Sequence, residues 1–140
     1  MYIETNSADN LPAEWDLCVQ SSQHLSRVSL GVLERTNPCS QRYVAFLDQA
    51  GAIDSAMVLY KLKLNLLTYS SLSLPVEVTM IGIPYSVAAP GYIIGEQTRA
   101  QFENYVSAIN GLVVILNSDG DLSLPAWSQG VTLPSCRLRL

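Results

Sequence analysis

Hydrophobic and polar residues alternate along much of the chain, and that alternation predicts strands. Trp15, Leu17 and Val19 alternate with Asp16, Cys18 and Gln20. Val28, Leu30 and Val32 do the same with Arg27, Ser29 and Gly31. Both read as strands with one wet face, because successive side chains of a strand point to opposite sides. Arg42–Asp48 is a short run rich in aromatic and β-branched residues. The clearest pattern follows it: Val58, Tyr60, Leu62, Leu64 and Leu66 fall on one side, and Leu59, Lys61, Lys63 and Asn65 on the other. A one-residue slip there would turn two lysines inward, so the pattern also predicts register, with Tyr60, Leu62, Leu64 and Leu66 in the core. Val76, Val78 and Met80 alternate with Glu77 and Thr79 in the next strand, which Pro84 closes.

One segment breaks the period of two. From Thr98 to Asn110, Phe102, Tyr105, Val106 and Ile109 recur at helical spacing, with Thr98 placed to cap the start and Gly111 to end the helix. Leu112–Leu116 is an unbroken apolar run and reads as a central strand. Asn117-Ser118-Asp119-Gly120-Asp121 is a turn leading into Leu122-Ser123-Leu124, a hairpin signal. Val131-Thr132-Leu133 and Cys136-Arg137-Leu138-Arg139-Leu140 supply the last strands. Strands do not alternate with helices, so the expectation is all-β: an antiparallel β-sandwich or jelly roll with one short helix at about residues 98–110. Residues 1–12 read as a polar lead-in, and residues 13–140 as a single domain.

Composition changes this picture in one respect. Charged residues are only 14% of the 140, against about 25% in an ordinary globular chain. Interface cores are depleted of charge, so a surface this neutral points to self-association as a dimer or trimer. The net charge is −4, and the basic residues, Lys61, Lys63, Arg137 and Arg139 among them, form no patch with interleaved aromatics. Nucleic acid is not an expected partner. No apolar run reaches the about 20 residues of a membrane span, and the start Met1-Tyr2-Ile3-Glu4 has no signal-peptide character. The expectation is therefore no membrane insertion, with synthesis in the cytoplasm or excision from a longer chain.

Few residues offer chemistry. His24 is the one histidine, and its neighbours Ser21, Ser22, Gln23 and Ser26 give it the look of a solvated loop residue. Cys18, Cys39 and Cys136 are odd in number and irregular in spacing, which argues for free thiols over disulfides or a zinc site. A Cys–His pair built on Cys18 or Cys39 stays open, since such partners need only meet in space. The carboxylates Asp48/Asp54 and Asp119/Asp121 are the candidates for paired-carboxylate glycosidase chemistry, yet all lie in turn-like sequence where turn geometry accounts for them. Gly91 to Gly95 does not form a phosphate-cradling loop. Asn117, Asp119 and Asp121 match the first calcium-loop positions, but Leu122 and Ser128 stand where Gly and Glu are needed. That excludes an EF-hand and leaves a calcium site between subunits as the alternative to a plain turn. Trp127, after Pro125, is either a core plug or a binding anchor. No catalytic, cofactor or metal residue is assigned.

The alternating strands, the Ser- and Thr-rich neutral surface, the strand Met57–Leu64 followed by Pro75-Val76-Glu77-Val78, and the strand-like C-terminus together resemble a protruding domain of a small non-enveloped RNA-virus capsid. Fibre-head domains of viruses and phages share that texture. The resemblance implies a spike at the virion surface that pairs with its copies, serves capsid assembly and attaches to a host receptor. The helix at residues 98–110 departs from it. The other expected functions are a small cellular β-sandwich that binds a ligand or peptide and, last, an enzyme with an unusual site.

Overall fold

The computed structural model describes residues 1–65, 67, 71–84, 86 and 89–116. The expected turn at Asn117–Asp121, the strands beyond it, Trp127 and Cys136 lie outside the described residues. The elements run β1 (Tyr2–Thr5), α1 (Glu14–Cys18), α2 (Arg27–Thr36), β2 (Arg42–Leu47), β3 (Ile53–Asn65), β4 (Pro75–Ile81), β5 (Tyr92–Ile93), α3 (Arg99–Ala108) and β6 (Leu112–Ile115). The strands form one mixed sheet in the order β1-β2-β3-β4-β6, with β5 paired to β3. Neighbours are antiparallel except β4 and β6, which are parallel and joined through α3. The fold is thus sheet-rich, as the alternation indicates, but the described residues form one mixed sheet with helices packed on it, so it is not a purely antiparallel all-β arrangement.

Two expected strands are helices. Over four residues a period of two and a period of 3.6 coincide, because residues i and i+4 share a face in both. Trp15 and Val19 are such a pair and both are buried in α1 or just beyond it, while Leu17, between them, is 69% exposed. In α2 the buried residues are Leu30 and Gly31, and Val28 and Val32 face outward. The Ser26 hydroxyl accepts from the Ser29 backbone N–H and caps α2 at its start. The opening Met1–Pro12 also carries structure: β1 pairs with β2, and Ala8 and Leu11 are buried.

The sheet has a helix layer on each face. Ala56 and Val58 of β3 pack with Tyr43, Ala45, Trp15, Leu25 and Leu30 on the α1–α2 side. The Trp15 indole N–H donates to the Leu25 carbonyl oxygen at 2.8 Å, which satisfies the one polar atom this ring carries into the core. On the other side Met57 and Leu59 pack with Val44, Phe46, Ile81, Phe102 and Val106 under α3. Ser55–Leu59 is therefore buried on both faces, as a strand covered on two sides must be. Beyond Tyr60 the same strand leaves the helix layers: Lys61–Asn65 are all exposed. The register of β3 follows the sequence pattern, with the lysines away from Tyr60, but Leu62 and Leu64 are 39% exposed each and are not core residues. Leu66 lies outside the described residues.

The helix expected at residues 98–110 is α3, with Phe102 and Val106 buried; it ends at Ala108, where Ile109 is already extended, and Gly111, at φ +91°, does not end it but lies between it and β6. Leu112–Ile115 is a strand, but among the described residues it stands at the end of the sheet, parallel to β4, and not at its centre. Before α3 the chain makes an excursion from β4 that closes where Gly91 meets Gly82. A Cβ on Gly91 would lie 2.3 Å from the Gly82 Cα, so the backbones can touch there only because position 91 is glycine.

Candidate functional site

The sequence candidates are mostly taken up in holding the fold together. His24 sits half-buried in a 3-10 turn (Gln23–Leu25), and its Nε2 lies 3.0 Å from the Pro90 carbonyl oxygen, so it tethers the Gly82–Gly91 excursion. It is not a plain solvated loop residue, and among the described residues no hydrogen bond joins it to Cys18 or Cys39. Both cysteines are unbridged and partly buried. Burial pushes the Cys18 thiol upward, helped by the Asp54 charge, and burial does the same to Cys39. A thiol raised this way is a poor nucleophile at neutral pH.

Asp48 and Asp54 are equally engaged. Asp48 accepts from the backbone N–H groups of Ala50 and Ala52 in the β2–β3 turn, at 2.8 and 2.9 Å. Asp54 accepts from both the backbone N–H and the hydroxyl of Thr98 at 3.0 Å. Thr98 therefore starts α3 without a side-chain cap of its own, and Asp54 supplies the anion that a helix N-terminus favours. Ser55 completes the junction: its Oγ lies 2.5 Å from Thr98 Oγ1 and accepts from the Gly95 backbone N–H. The start of α3 is thus occupied by the chain's own groups. Asp119 and Asp121 lie outside the described residues. Among the described residues no three His, Cys, Asp or Glu side chains cluster to hold a metal, and no helix is long and apolar enough to cross a membrane.

What the described residues leave open is the far half of the sheet, where β3, β4 and β6 run past the helices. Its two faces differ. On the α1–α2 side, cross-strand partners form an apolar ladder: Tyr60 with Met80, Leu62 with Val78, Leu64 with Val76. Leu112 and Val114 extend it onto β6, opposite Val78 and Met80. Tyr60, Val78 and Met80 are buried together with Cys39, Val76, Val114 and Leu116 partly buried around them, and among the described residues no helix residue joins this cluster. Leu62, Leu64 and Leu112 stand exposed on it, Leu112 at 53%.

The α3 side of the same half is polar. Glu4, Arg42, Lys61, Glu77, Thr79 and Tyr105 line a groove of ≈ 520 Å³ at the C-terminal end of α3. Arg42 donates to Glu4 at 2.9 Å, and the Tyr105 hydroxyl donates to the other Glu4 oxygen, also at 2.9 Å. Lys61 pairs with Glu77. The Tyr105 phenol is pushed upward by burial and by the Glu4 carboxylate, so it stays protonated and donates. The Lys61 hydrogen bond and charge, with Lys63 behind them, hold Glu77 below the usual carboxylate range. Sequence reading missed this groove because its residues come from four strands and one helix. The signal lies in strand parity: Lys61 and Thr79 are cross-strand partners on one face once β3 and β4 are paired.

No protein-family model matches the chain, and no curated protein does. Two solved structures share its fold. A point mutant of the BH1408 protein from Bacillus halodurans superposes with a TM-score of 0.52 at 12% identity, covering 96% of this chain and 98% of that one. A tetramutant of the same protein superposes with a TM-score of 0.52 at 11% identity, covering 96% and 99%. At such identity the likeness concerns the fold alone.

Proposed function

We propose that the chain is a non-catalytic binding domain that associates with its own copies through the apolar ladder of β3, β4 and β6. The observation that carries this reading is the exposure of Leu62, Leu64 and Leu112 on a half-sheet that no described helix covers. Apolar surface gathered in one place, on a chain with only 14% charged residues, has the composition of a contact surface. The lysines of β3 support the choice of face, since Lys61 and Lys63 project from the opposite side and put no charge into the contact. A second copy supplies the matching chemistry, because a two-fold contact sets one ladder against another. The non-catalytic part of the reading draws support from the raised thiols, the tethered His24 and the engaged Asp48 and Asp54.

A setting at the virion surface, with a host receptor as a further partner, is what the sequence resemblance implies. That likeness rests on the alternating strands, the neutral Ser- and Thr-rich surface and the strand-like C-terminus, and self-association is proposed here without relying on it. Light scattering of the full chain and of a Leu62→Glu/Leu64→Lys variant tests the reading. The expected result is a dimer or trimer at micromolar concentration that the double substitution converts to a folded monomer. A wild-type monomer at every concentration reached would refute it.

A further inference from the structure

The polar groove lies on the opposite face from the ladder and does not depend on it. Four neighbouring strands line it with charges in the order Glu4, Arg42, Lys61, Glu77, so the two cations occupy the middle and the acids flank them. Glu4 is fully committed: one oxygen takes an Arg42 N–H and the other the Tyr105 hydroxyl. Tyr105 is itself wedged, with its ring edge-on to Tyr2 at 5.1 Å and to Phe46 at 5.7 Å. This arrangement fixes the Arg42 guanidinium through one nitrogen and leaves the rest of its donor fork without a hydrogen bond among the described residues. The Lys61 ammonium donates one N–H to Glu77 and has two more to offer.

Thr79, the cross-strand partner of Lys61, lies at the floor of the groove. Most of the residue is covered, but its hydroxyl makes no hydrogen bond among the described residues and stays accessible to a molecule in the groove. Exposed ion pairs alone would be weak evidence, since such pairs add little to stability. Here they hold a planar fork, an ammonium and an unpaired hydroxyl around one space, and its ≈ 520 Å³ falls in the range of small-molecule sites. We infer that the groove binds a small molecule through an oxyanion, a carboxylate or phosphoryl group, taken by the free edge of Arg42 with Lys61 and Thr79 completing its hydrogen bonds. Arginine forks suit both anions, which share planar or tetrahedral oxygen pairs at the same reach.

Titration by backbone-amide NMR at low salt, with inorganic phosphate and succinate as separate probes, tests this. Saturable one-to-one shifts centred on Arg42, Lys61 and Thr79 are expected with at least one probe; phosphate alone identifies a phosphoryl ligand, succinate alone a carboxylate. Arg42→Gln, Lys61→Ala and Thr79→Val should each weaken binding by about tenfold or more, the size of one lost charge-assisted hydrogen bond. Lys63→Ala, which changes the net charge identically but lies outside the groove lining, should alter it by less than about threefold. Lys61 is exposed, so its variant keeps the fold even if Arg42→Gln does not. Failure of both probes to saturate, or tight binding retained in Lys61→Ala and Thr79→Val alike, overturns the site.

Discussion

Val58 and Leu62 point to the same face of one strand, four residues apart, and their surroundings differ entirely. Val58 is fully buried under α1 and α2, and Leu62 is 39% exposed beyond them. Val58→Ala should cost about 2 kcal/mol or more, and Leu62→Ala about 1 kcal/mol or less in the isolated chain, since cavity cost scales with burial. Urea denaturation of the two variants at a concentration below self-association checks the contrast. Cys18 offers a second reading at this scale. Its thiol is raised by burial and by Asp54, so at neutral pH it stays protonated, and alkylation should be slow until the chain is unfolded or the pH is raised well past the ordinary thiol range. Rapid modification of native Cys18 at pH 7 would contradict its placement.

Asp16 adds a pH dependence whose sign is fixed by its partners. Burial works to raise its pKa, but the Arg27 backbone N–H, guanidinium hydrogen bond and charge together bring it below the ordinary carboxylate value. A carboxylate depressed in the folded state contributes stability above its unfolded pKa, about 3.9, and loses that contribution as the pH falls through the lower folded value. Both side chains of the pair are 37% exposed, so solvent screening limits the contribution to about 0.5–1 kcal/mol. The stability gap between wild type and Asp16→Asn at pH 7 should accordingly narrow toward pH 3, measured by thermal melting.

Among the elements, α3 is the one whose docking is best defined. Phe102 packs against Phe46 at 5.4 Å and Tyr92 at 5.7 Å, and Phe102→Ala should cost about 3–5 kcal/mol. Asp54→Ala should leave two donors of Thr98 without their acceptor and loosen the start of the helix; amide exchange in residues 98–102 should quicken while β2 stays protected. This helix is legible in the sequence because Phe102, Val106 and Ile109 recur over successive turns, long enough to separate 3.6 from 2. In α1 the informative pair is Trp15 and Val19, which the two periods place alike. In α2 the misleading residues are Val28 and Val32, which share strand parity with the buried Leu30 and face solvent. The Ser26 cap is the available signal there, since Ser, Thr, Asp and Asn before a helix supply the first acceptor. Strand β6 is legible as a strand and not as an edge, because an apolar run describes burial and says nothing of neighbours or direction.

At the scale of the whole molecule, the sheet divides, among the described residues, into a half sandwiched between helices and a half that runs beyond them. That division is absent from the alternation of Val58–Leu66, which is continuous across it; it follows from where α1, α2 and α3 end, a property of tertiary packing. The open half then presents an apolar ladder on one face and a row of paired charges on the other. Neither the ladder as a surface nor the groove is readable before the strands are paired, although each residue of both is in view.

Association through that apolar half-face is tested most directly by hydrogen–deuterium exchange of the full chain at a series of concentrations. Protection of amides in Lys61–Asn65 and Leu112–Ile115 should rise with protein concentration, while the double-covered segment Ser55–Leu59 stays protected throughout. Exchange in those two segments that does not change with concentration, or concentration-dependent protection that appears on another surface, would contradict it.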